Sequence, residues 1–350
     1  MQDVFWTHDN KPVYINNLFR GAHCFLILGG PSANDLDLDK LYNPSIMTMG
    51  VNNSPATFRP RLWTMVDDVK SFMKSIYTDV GILKFMPQPK SSHRIWDNMA
   101  GREDRTKVIQ CPSVLYYKRQ STESEWFRTD TFLADQNFCW GNHEDRCECG
   151  WKRPGKVKKC KKCGHDEFRR GKKCKKCGWE RPAFIKVCKK CGESKFGVRS
   201  VMLVAMRILY ELGFKYVYLV GCDFKMEHGK KNYSFDQDRS KGSVSNNNQT
   251  YTRLNERFPK MRPVFDINDF FVYNCYEQSG LTAFDYLPFE EAVARALAHI
   301  PAREKTAGLY DRKAKAKEAA KQQEKAAKCA AVERLPQTLV EFAERLKNGS

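Results

Sequence analysis

Eight cysteines between positions 147 and 191 carry the most explicit chemistry in this 350-residue chain. Cys147 and Cys149, Cys160 and Cys163, Cys174 and Cys177, and Cys188 and Cys191 form four close pairs, each followed directly by glycine. Three pairs have Cys-x-x-Cys spacing, and the first has a single intervening residue, Glu148. Two such knuckles surround a tetrahedral Zn²⁺ with four thiolates and leave no position for a substrate, which is the chemistry of a structural zinc. The segment is also an internal duplication. Cys149-Gly150-Trp151 recurs as Cys177-Gly178-Trp179, 28 residues on, and each copy continues to a second knuckle. Taken copy by copy, the cysteines predict two structural zinc sites. One uses Cys147, Cys149, Cys160 and Cys163, and the other Cys174, Cys177, Cys188 and Cys191. The short spacing at Cys147 makes the first site either distorted or open to Cys139, His143 or His165.

Three further groups are suited to transfer chemistry. Asp67 and Asp68 close an apolar run, Leu62 to Val66. A carboxylate at a strand end accepts a proton from an attacking hydroxyl, and an adjacent pair can hold Mg²⁺ or Mn²⁺ against a diphosphate. Asp68 equally suits a helix N-cap before Val69 to Ile76. His228, in a Glu-His-Gly-Lys loop, is either a proton acceptor or an ordinary surface histidine. Gly29-Gly30-Pro31-Ser32 follows the apolar run Ala22 to Leu28. Such a turn lets backbone N–H groups approach phosphate, with the Ser32 hydroxyl as a further donor, or is simply a strand-to-helix turn.

These groups need elements to hold them. Ala22 to Leu28, Ile46 to Val51 and Leu62 to Val66 read as short buried strands, each ending in small or polar residues where parallel strands deliver a ligand site. Ser200 to Leu212 has helical apolar spacing and is stopped by Gly213, and Tyr216 to Val220 is the strand it feeds. Strand Phe271 to Asn274 and helix Glu290 to His299 complete the pattern. The expected fold is therefore α/β: a Rossmann-like parallel sheet core, an inserted tandem zinc-ribbon module and a helical C-terminal tail. The boundaries are 1–140 and 197–302 for the two parts of the core, 141–196 for the insertion and 303–350 for the tail. Ala302 to Ala331, rich in Ala, Lys, Glu and Gln, reads as an exposed helix or semi-rigid linker. After Pro336 a short amphipathic helix carries Leu339, Phe342, Ala343 and Leu346, a face suited to the core or to a second chain.

Composition sets the class. With 41% apolar and 12% aromatic residues the chain buries a real core. It has no run of about 18 apolar residues, and Met1 to Asn10 lacks a signal-peptide pattern. The expectation is a cytoplasmic protein, in the host cytoplasm if viral, with no membrane partner. Formal net charge is +19, unevenly placed. Arg146 to Arg199 holds 20 Lys/Arg against 5 Asp/Glu, Arg303 to Ser350 holds 12 against 7, and the rest of the chain sums to −1. A nearly neutral core thus carries two basic appendages that attract polyanions.

Leu26 to Ser32, Asn52-Asn53, Gly213 to Phe224, Tyr233 to Asp236 and Tyr273 to Leu281, taken in order, resemble bacterial sialyltransferases of the metal-independent, Rossmann-like type. They also resemble related phage and archaeal proteins with a Gly-x-Gly-Pro-Ser start. The similarity lies in the core and is absent from the cysteine segment and the tail. It implies that Gly29, Gly30, Ser32, Asn52 and Asn53 hold the nucleotide of an activated sugar, that Ser200 and Asp223 line the donor site, and that Tyr233 and Ser279 contact the leaving phosphate. Two departures stand out. Lys225 replaces a second phosphate-binding tyrosine, a point charge suited to a diphosphate. The family's catalytic-base histidine has no counterpart between Asp236 and Met261, which shifts the base to Asp67, Asp68 or His228.

The resulting expectation is a phage-type glycosyltransferase that moves a sugar from a nucleotide to a hydroxymethylated base in DNA, with the zinc module gripping the duplex. Two alternatives differ in class: a sialyltransferase-like enzyme on glycan acceptors, and a non-catalytic nucleic-acid-binding adaptor.

Overall fold

The computed structural model describes residues 4–95, 106–118, 132–133, 161–163, 168–169, 173–177, 179–180, 200–299 and 317–326. The chain divides into two compact units, Met1–Ile300 and Pro301–Ser350.

The short apolar runs become strands because both of their faces are covered. In β3 (His23–Ile27), Cys24 and Leu26 join one buried cluster while Phe25 and Ile27 join another. In β10 (Tyr216–Val220), Val217 and Leu219 likewise oppose Tyr218 and Val220. A strand sandwiched in this way reads as continuously apolar rather than alternating. The neighbours are β4 (Met47–Val51), β5 (Leu62–Thr64), β6 (Leu83–Pro87), β7 (Val114–Tyr117), β11 (Phe271–Asn274) and β12 (Asp285–Tyr286). With β1 (Phe5–Trp6) and β2 (Pro12–Val13) they form one ten-stranded sheet of order β12-β11-β10-β3-β4-β5-β6-β7-β1-β2. From β12 to β7 every neighbouring pair is parallel, and β1 and β2 close one edge antiparallel. The fold is thus α/β with a largely parallel sheet, the layout of a Rossmann-like core. Segments from both sides of the cysteine region share that sheet, since β10 pairs directly with β3.

On one face, α2 (Val201–Glu211) is buried along Met202 to Leu209 and capped by Ser200, whose hydroxyl accepts from the Met202 amide at 3.2 Å. Gly213 ends it at φ +89°, where an added Cβ would lie 2.8 Å from Asn17 Cα. Beside it runs α3 (Lys241–Ile267), which contains Pro259 and Pro263 and buries Leu254, Phe258, Met261 and Phe265. The opposite face is covered by α4 (Phe289–Ala298). A third cluster surrounds Trp63 and takes in Ile76 and Tyr77 of the short α1 (Lys74–Thr78). Residues 317–326, in the second unit, are an exposed helix. Among the described residues no helix is long and apolar enough to cross a membrane. The residues of the amphipathic segment after Pro336 lie outside those described.

One half-buried histidine is expected to make the fold acid-sensitive. His23 Nδ1 lies 2.7 Å from the Tyr218 hydroxyl, and its ring packs 4.5 Å from that of Tyr216 and 4.7 Å from that of His299. Burial, then the neighbouring His299 and Arg295, lower its pKa from 6.5 to about 4. Between those values the unfolded chain binds a proton that the folded one refuses, so stability falls as pH drops through that window. His23→Phe should therefore show a smaller loss of melting temperature between pH 7 and pH 4.5 than the parent. An equal loss in both would remove His23 as the cause.

Candidate functional site

Chain order places the site. After β3 the sheet grows toward β7, whereas β10, β11 and β12 extend it the other way, so β3 and β10 flank the topological switch point. Ligands of open parallel sheets bind outside the strands' carboxyl ends at that point. A cleft of about 560 Å³ lies there, within the usual range for small-molecule sites. Its walls come from the turns after β3 (Gly29, Gly30), β4 (Asn52, Asn53), β5 (Asp67) and β10 (Gly221 to Met226). The start of α2, the loop from Asn232 to Arg239, and Tyr251 of α3 complete it. A second cavity of about 550 Å³, beside Gly21 and Lys215, lies at the amino ends of the same two strands. Of its charged groups, Arg207 pairs with Glu211 and Lys215 with Asp269.

At the floor of the cleft is Asp223, only 6% exposed. Its Oδ2 accepts from Ser32 Oγ at 2.7 Å, and its Oδ1 accepts from the Ser32 amide at 3.2 Å. Gly30 donates its amide to Gly221 O at 2.8 Å, and a Cβ on Gly30 would fall 1.9 Å from Asp223 Oδ2. Gly30 is thus required for close approach of the two strand ends. Burial raises the Asp223 pKa above 3.8, against the opposing effect of the Ser32 bonds. The amide and hydroxyl of Ser32, read from the sequence as phosphate donors, face a carboxylate of the chain itself. Behind Asp223 the backbone is fastened down: Gly280 N donates to Asp223 O at 2.8 Å, and Ser279 Oγ donates to Cys222 O. Phe224 then adopts φ +57°, a costly conformation for an aromatic residue, and stacks on Tyr251 at 4.6 Å.

The rim is aromatic and cationic. Tyr233 and Phe235 stack at 5.1 Å with their planes 16° apart, over Gly29, where a Cβ would meet Tyr233 Cδ1 at 3.1 Å. Arg239 Nε donates to the Tyr233 hydroxyl at 3.0 Å, and its guanidinium lies 5.3 Å from the ring centre. Lys225 reaches the same cleft with its side chain 57% exposed. Arg239 was not among the sequence candidates. It sits in a loop of mixed charge, where nothing local separates a cleft arginine from a solvated one.

Asn52 is held in the left-handed region at φ +52°. Its amide donates to Thr64 O at 3.2 Å and its carbonyl accepts from Trp63 Nε1 at 2.8 Å. Its side-chain Oδ1 is buried with no hydrogen-bond partner among the described residues. Such an acceptor is free to take a hydrogen bond from an N–H or O–H entering the cleft. If Asn52 Oδ1 meets a bound ligand, Asn52→Gly, which suits the left-handed backbone, should weaken binding of that ligand about ten-fold, from loss of roughly 1–1.5 kcal/mol, with little change in melting temperature. Unchanged affinity in calorimetry would remove it as a contact.

The other sequence candidates separate. Asp67 lines the cleft, but Asp68 turns away and caps the turn Val69–Ser71, accepting from the Lys70 amide at 3.2 Å. His228 is exposed and not part of the cleft lining. Ser200 lines the cleft while capping α2. Asn53 lines it but braces the wall, donating to Ser71 O at 3.1 Å and accepting from the Met73 amide at 3.4 Å. Ser279 is not in the lining and holds the end of β10 instead.

In the cysteine segment, β8 (Phe168–Arg169) and β9 (Lys173–Cys174) form an antiparallel hairpin with Phe168 opposite Cys174. The sulfurs of Cys163, Cys174 and Cys177 all lie within 4.8 Å of one another, and Cys163 Sγ is 3.6 Å from Cys174 Sγ. With Zn–S bonds of about 2.3 Å a tetrahedron spaces its sulfurs about 3.8 Å apart, so the three thiols fit one metal ion. This grouping differs from the copy-by-copy expectation, which assigned Cys163 to one site and Cys174 and Cys177 to another. Cys147, Cys149, Cys160, Cys188 and Cys191, with Cys139, His143 and His165, lie outside the described residues.

No protein-family model, curated protein or solved structure matches this chain.

Proposed function

We propose that the protein is a nucleotide-sugar-dependent glycosyltransferase whose acceptor is DNA carrying a hydroxymethylated base. The observation that carries this reading is the switch-point cleft, which gathers a buried carboxylate, an unsatisfied amide oxygen and two cationic side chains in one ligand-sized space. Asn52 Oδ1 supports nucleotide binding as an acceptor for a base or ribose donor. Lys225 and Arg239 supply charge where a leaving nucleoside diphosphate accumulates it. The acceptor hydroxyl forms the new bond to the anomeric carbon, the bond from that carbon to phosphate oxygen breaks, and the hydroxyl proton passes to a cleft carboxylate. Asp223 suits that proton best, because burial already favours its protonated form. Asp67 is the second carboxylate in reach of the cleft, with Mg²⁺ or Mn²⁺ binding as its other possible role. The net charge of +15 between Arg146 and Arg199 supports a polyanionic acceptor.

The test is mass spectrometry of nucleosides from hydroxymethylcytosine DNA incubated with the protein, Mg²⁺ and a panel of nucleotide sugars. A hexose- or pentose-sized gain, lowered about 10²–10⁴-fold by Asp223→Asn, is the expected result. Nucleotide release with glycans but no gain on DNA would move the activity to the sialyltransferase-like alternative. Neither signal would leave a nucleic-acid-binding adaptor.

A further inference from the structure

Tyr251 brings to the switch-point cleft a group absent from the sequence candidates, a phenol hydroxyl with no hydrogen-bond partner among the described residues. The ring itself is well fixed. It stands on α3, which is latched to the chain beyond β10: the Met226 amide donates to Asn248 Oδ1 at 2.9 Å, and Asn248 Nδ2 donates to Met226 O at 2.8 Å. It stacks on Phe224 with 4.6 Å between ring centres and 29° between planes. Packing therefore accounts for the ring but not for its hydroxyl, which a phenylalanine would lack at no loss to the stack. The ionisable groups around it are Tyr233, Cys222, Asp223 and Arg239. Burial, then Tyr233, Cys222 and Asp223, raise the Tyr251 pKa above its ordinary 10, against the opposing effect of Arg239. The hydroxyl thus keeps its proton at neutral pH and serves as a donor.

The oxygen groups near this donor are already engaged. Asp223 accepts from the Ser32 amide and hydroxyl, and the Tyr233 hydroxyl accepts from Arg239 Nε. Arg239 is oriented by that bond and by its place 5.3 Å from the Tyr233 ring centre. Lys225, next to Phe224, lines the same cleft and has Glu227 at 3.9 Å. The three donors thus come from α3, from the loop before it and from the turn after β10. Two cations and a protonated hydroxyl suit a ligand group that is anionic and accepts from several sides. A terminal phosphoryl group with three oxygens fits that description better than a carboxylate with two coplanar ones. The geometry points to a phosphoryl subsite formed by Tyr251, Arg239 and Lys225, in which the Tyr251 hydroxyl donates to the terminal phosphate of a nucleoside diphosphate. This inference rests on the nucleotide-dependent reading of the cleft and names the part of the cleft that holds the phosphate.

Calorimetric titration of the full-length protein with inorganic pyrophosphate tests the subsite. Tyr251→Phe keeps the ring on Phe224 and removes only the hydroxyl, so affinity should fall about ten-fold with the melting temperature unchanged. Arg239→Gln should lower affinity by at least as much, since it removes a charged donor. Equal affinity in Tyr251→Phe and the parent overturns the inference, because pyrophosphate held only by the basic segment from Arg146 to Arg199 is blind to that hydroxyl. No binding by the parent overturns it as well, while the transferase reading still stands or falls on sugar transfer to DNA. A single-stranded oligodeoxynucleotide separates the two sources of phosphate, and its affinity should be the same in the parent and in Tyr251→Phe. A matching loss of oligonucleotide affinity in Tyr251→Phe would move the subsite to the acceptor strand and overturn its assignment to the nucleotide.

Discussion

Glu211→Ala is expected to destabilise the protein by about 3–5 kcal/mol, the cost of stripping a buried charge of its partner. Arg207 is 1% exposed on the buried face of α2, and its Nη2 lies 2.5 Å from Glu211 Oε1 one turn later. Its Nη1 also donates to Phe132 O at 2.5 Å, and Glu211 Oε2 accepts from Asn16 Nδ2 at 2.8 Å. A guanidinium left in this setting keeps its desolvation penalty while losing the Glu211 ion pair. Replacing both members, Arg207→Met with Glu211→Leu, should cost less than Glu211→Ala alone, because the buried guanidinium is removed together with the carboxylate. Urea denaturation of the two variants decides the matter. A double variant no more stable than the single one would mean that volume, not charge, dominates at this position.

Gly30→Ala should damage stability and the proposed transfer activity together. The Gly30 backbone, at φ −71° and ψ 150°, is open to any residue, so the substitution introduces no dihedral strain. Its effect comes from the added Cβ, 1.9 Å from Asp223 Oδ2 and 2.5 Å from Gly221 O. Overpacking of this kind costs about 1–3 kcal/mol, and it pushes the carboxylate from its seat on Ser32. Transfer should fall about 100-fold or more, in line with loss of a positioned general base. Adding Asp223→Ala to Gly30→Ala removes one of the two clashes, so melting temperature should recover in part while activity stays lost. Full activity in Gly30→Ala would show that Asp223 does not act from the position described.

Much of the core was legible from local pattern. Strands β3, β4, β5, β10 and β11 and helices α2 and α4 were anticipated within one or two residues, because burial on both faces leaves a continuous apolar run and because Ser200 and Gly213 bracket α2. What escaped was weakly patterned. The long α3 contains two prolines and only a sparse apolar stripe, and β6 and β7 are short strands of five and four residues. The edge strands β1 and β2 are two residues each, β1 held by pairing to β7 and β2 by pairing to β1 rather than by propensity.

For the site, the residues at strand ends were found and their partners were not. Glycine, asparagine and aspartate after an apolar run mark where a parallel sheet presents a ligand, and that rule located Gly29, Gly30, Asn52, Asp67 and Asp223 in one cleft. It carried no information on whether Ser32 would face solvent or a carboxylate 191 residues away. Nor did the spacing of Asp67 and Asp68 say which would face the cleft and which would cap a turn. The apolar runs, the glycine stops, the thiol pairs and the basic segment are properties of neighbouring residues, so the order of amino acids alone determined an α/β core, thiol pairs at metal-ligand spacing and a strongly basic segment. The pairing of Asp223 with Ser32, the exposure of Arg239 to the cleft, and the grouping of Cys163 with Cys174 and Cys177 were decided only in the folded chain. Each depends on the register and return of segments that meet across the sheet or the hairpin, where local pattern is silent.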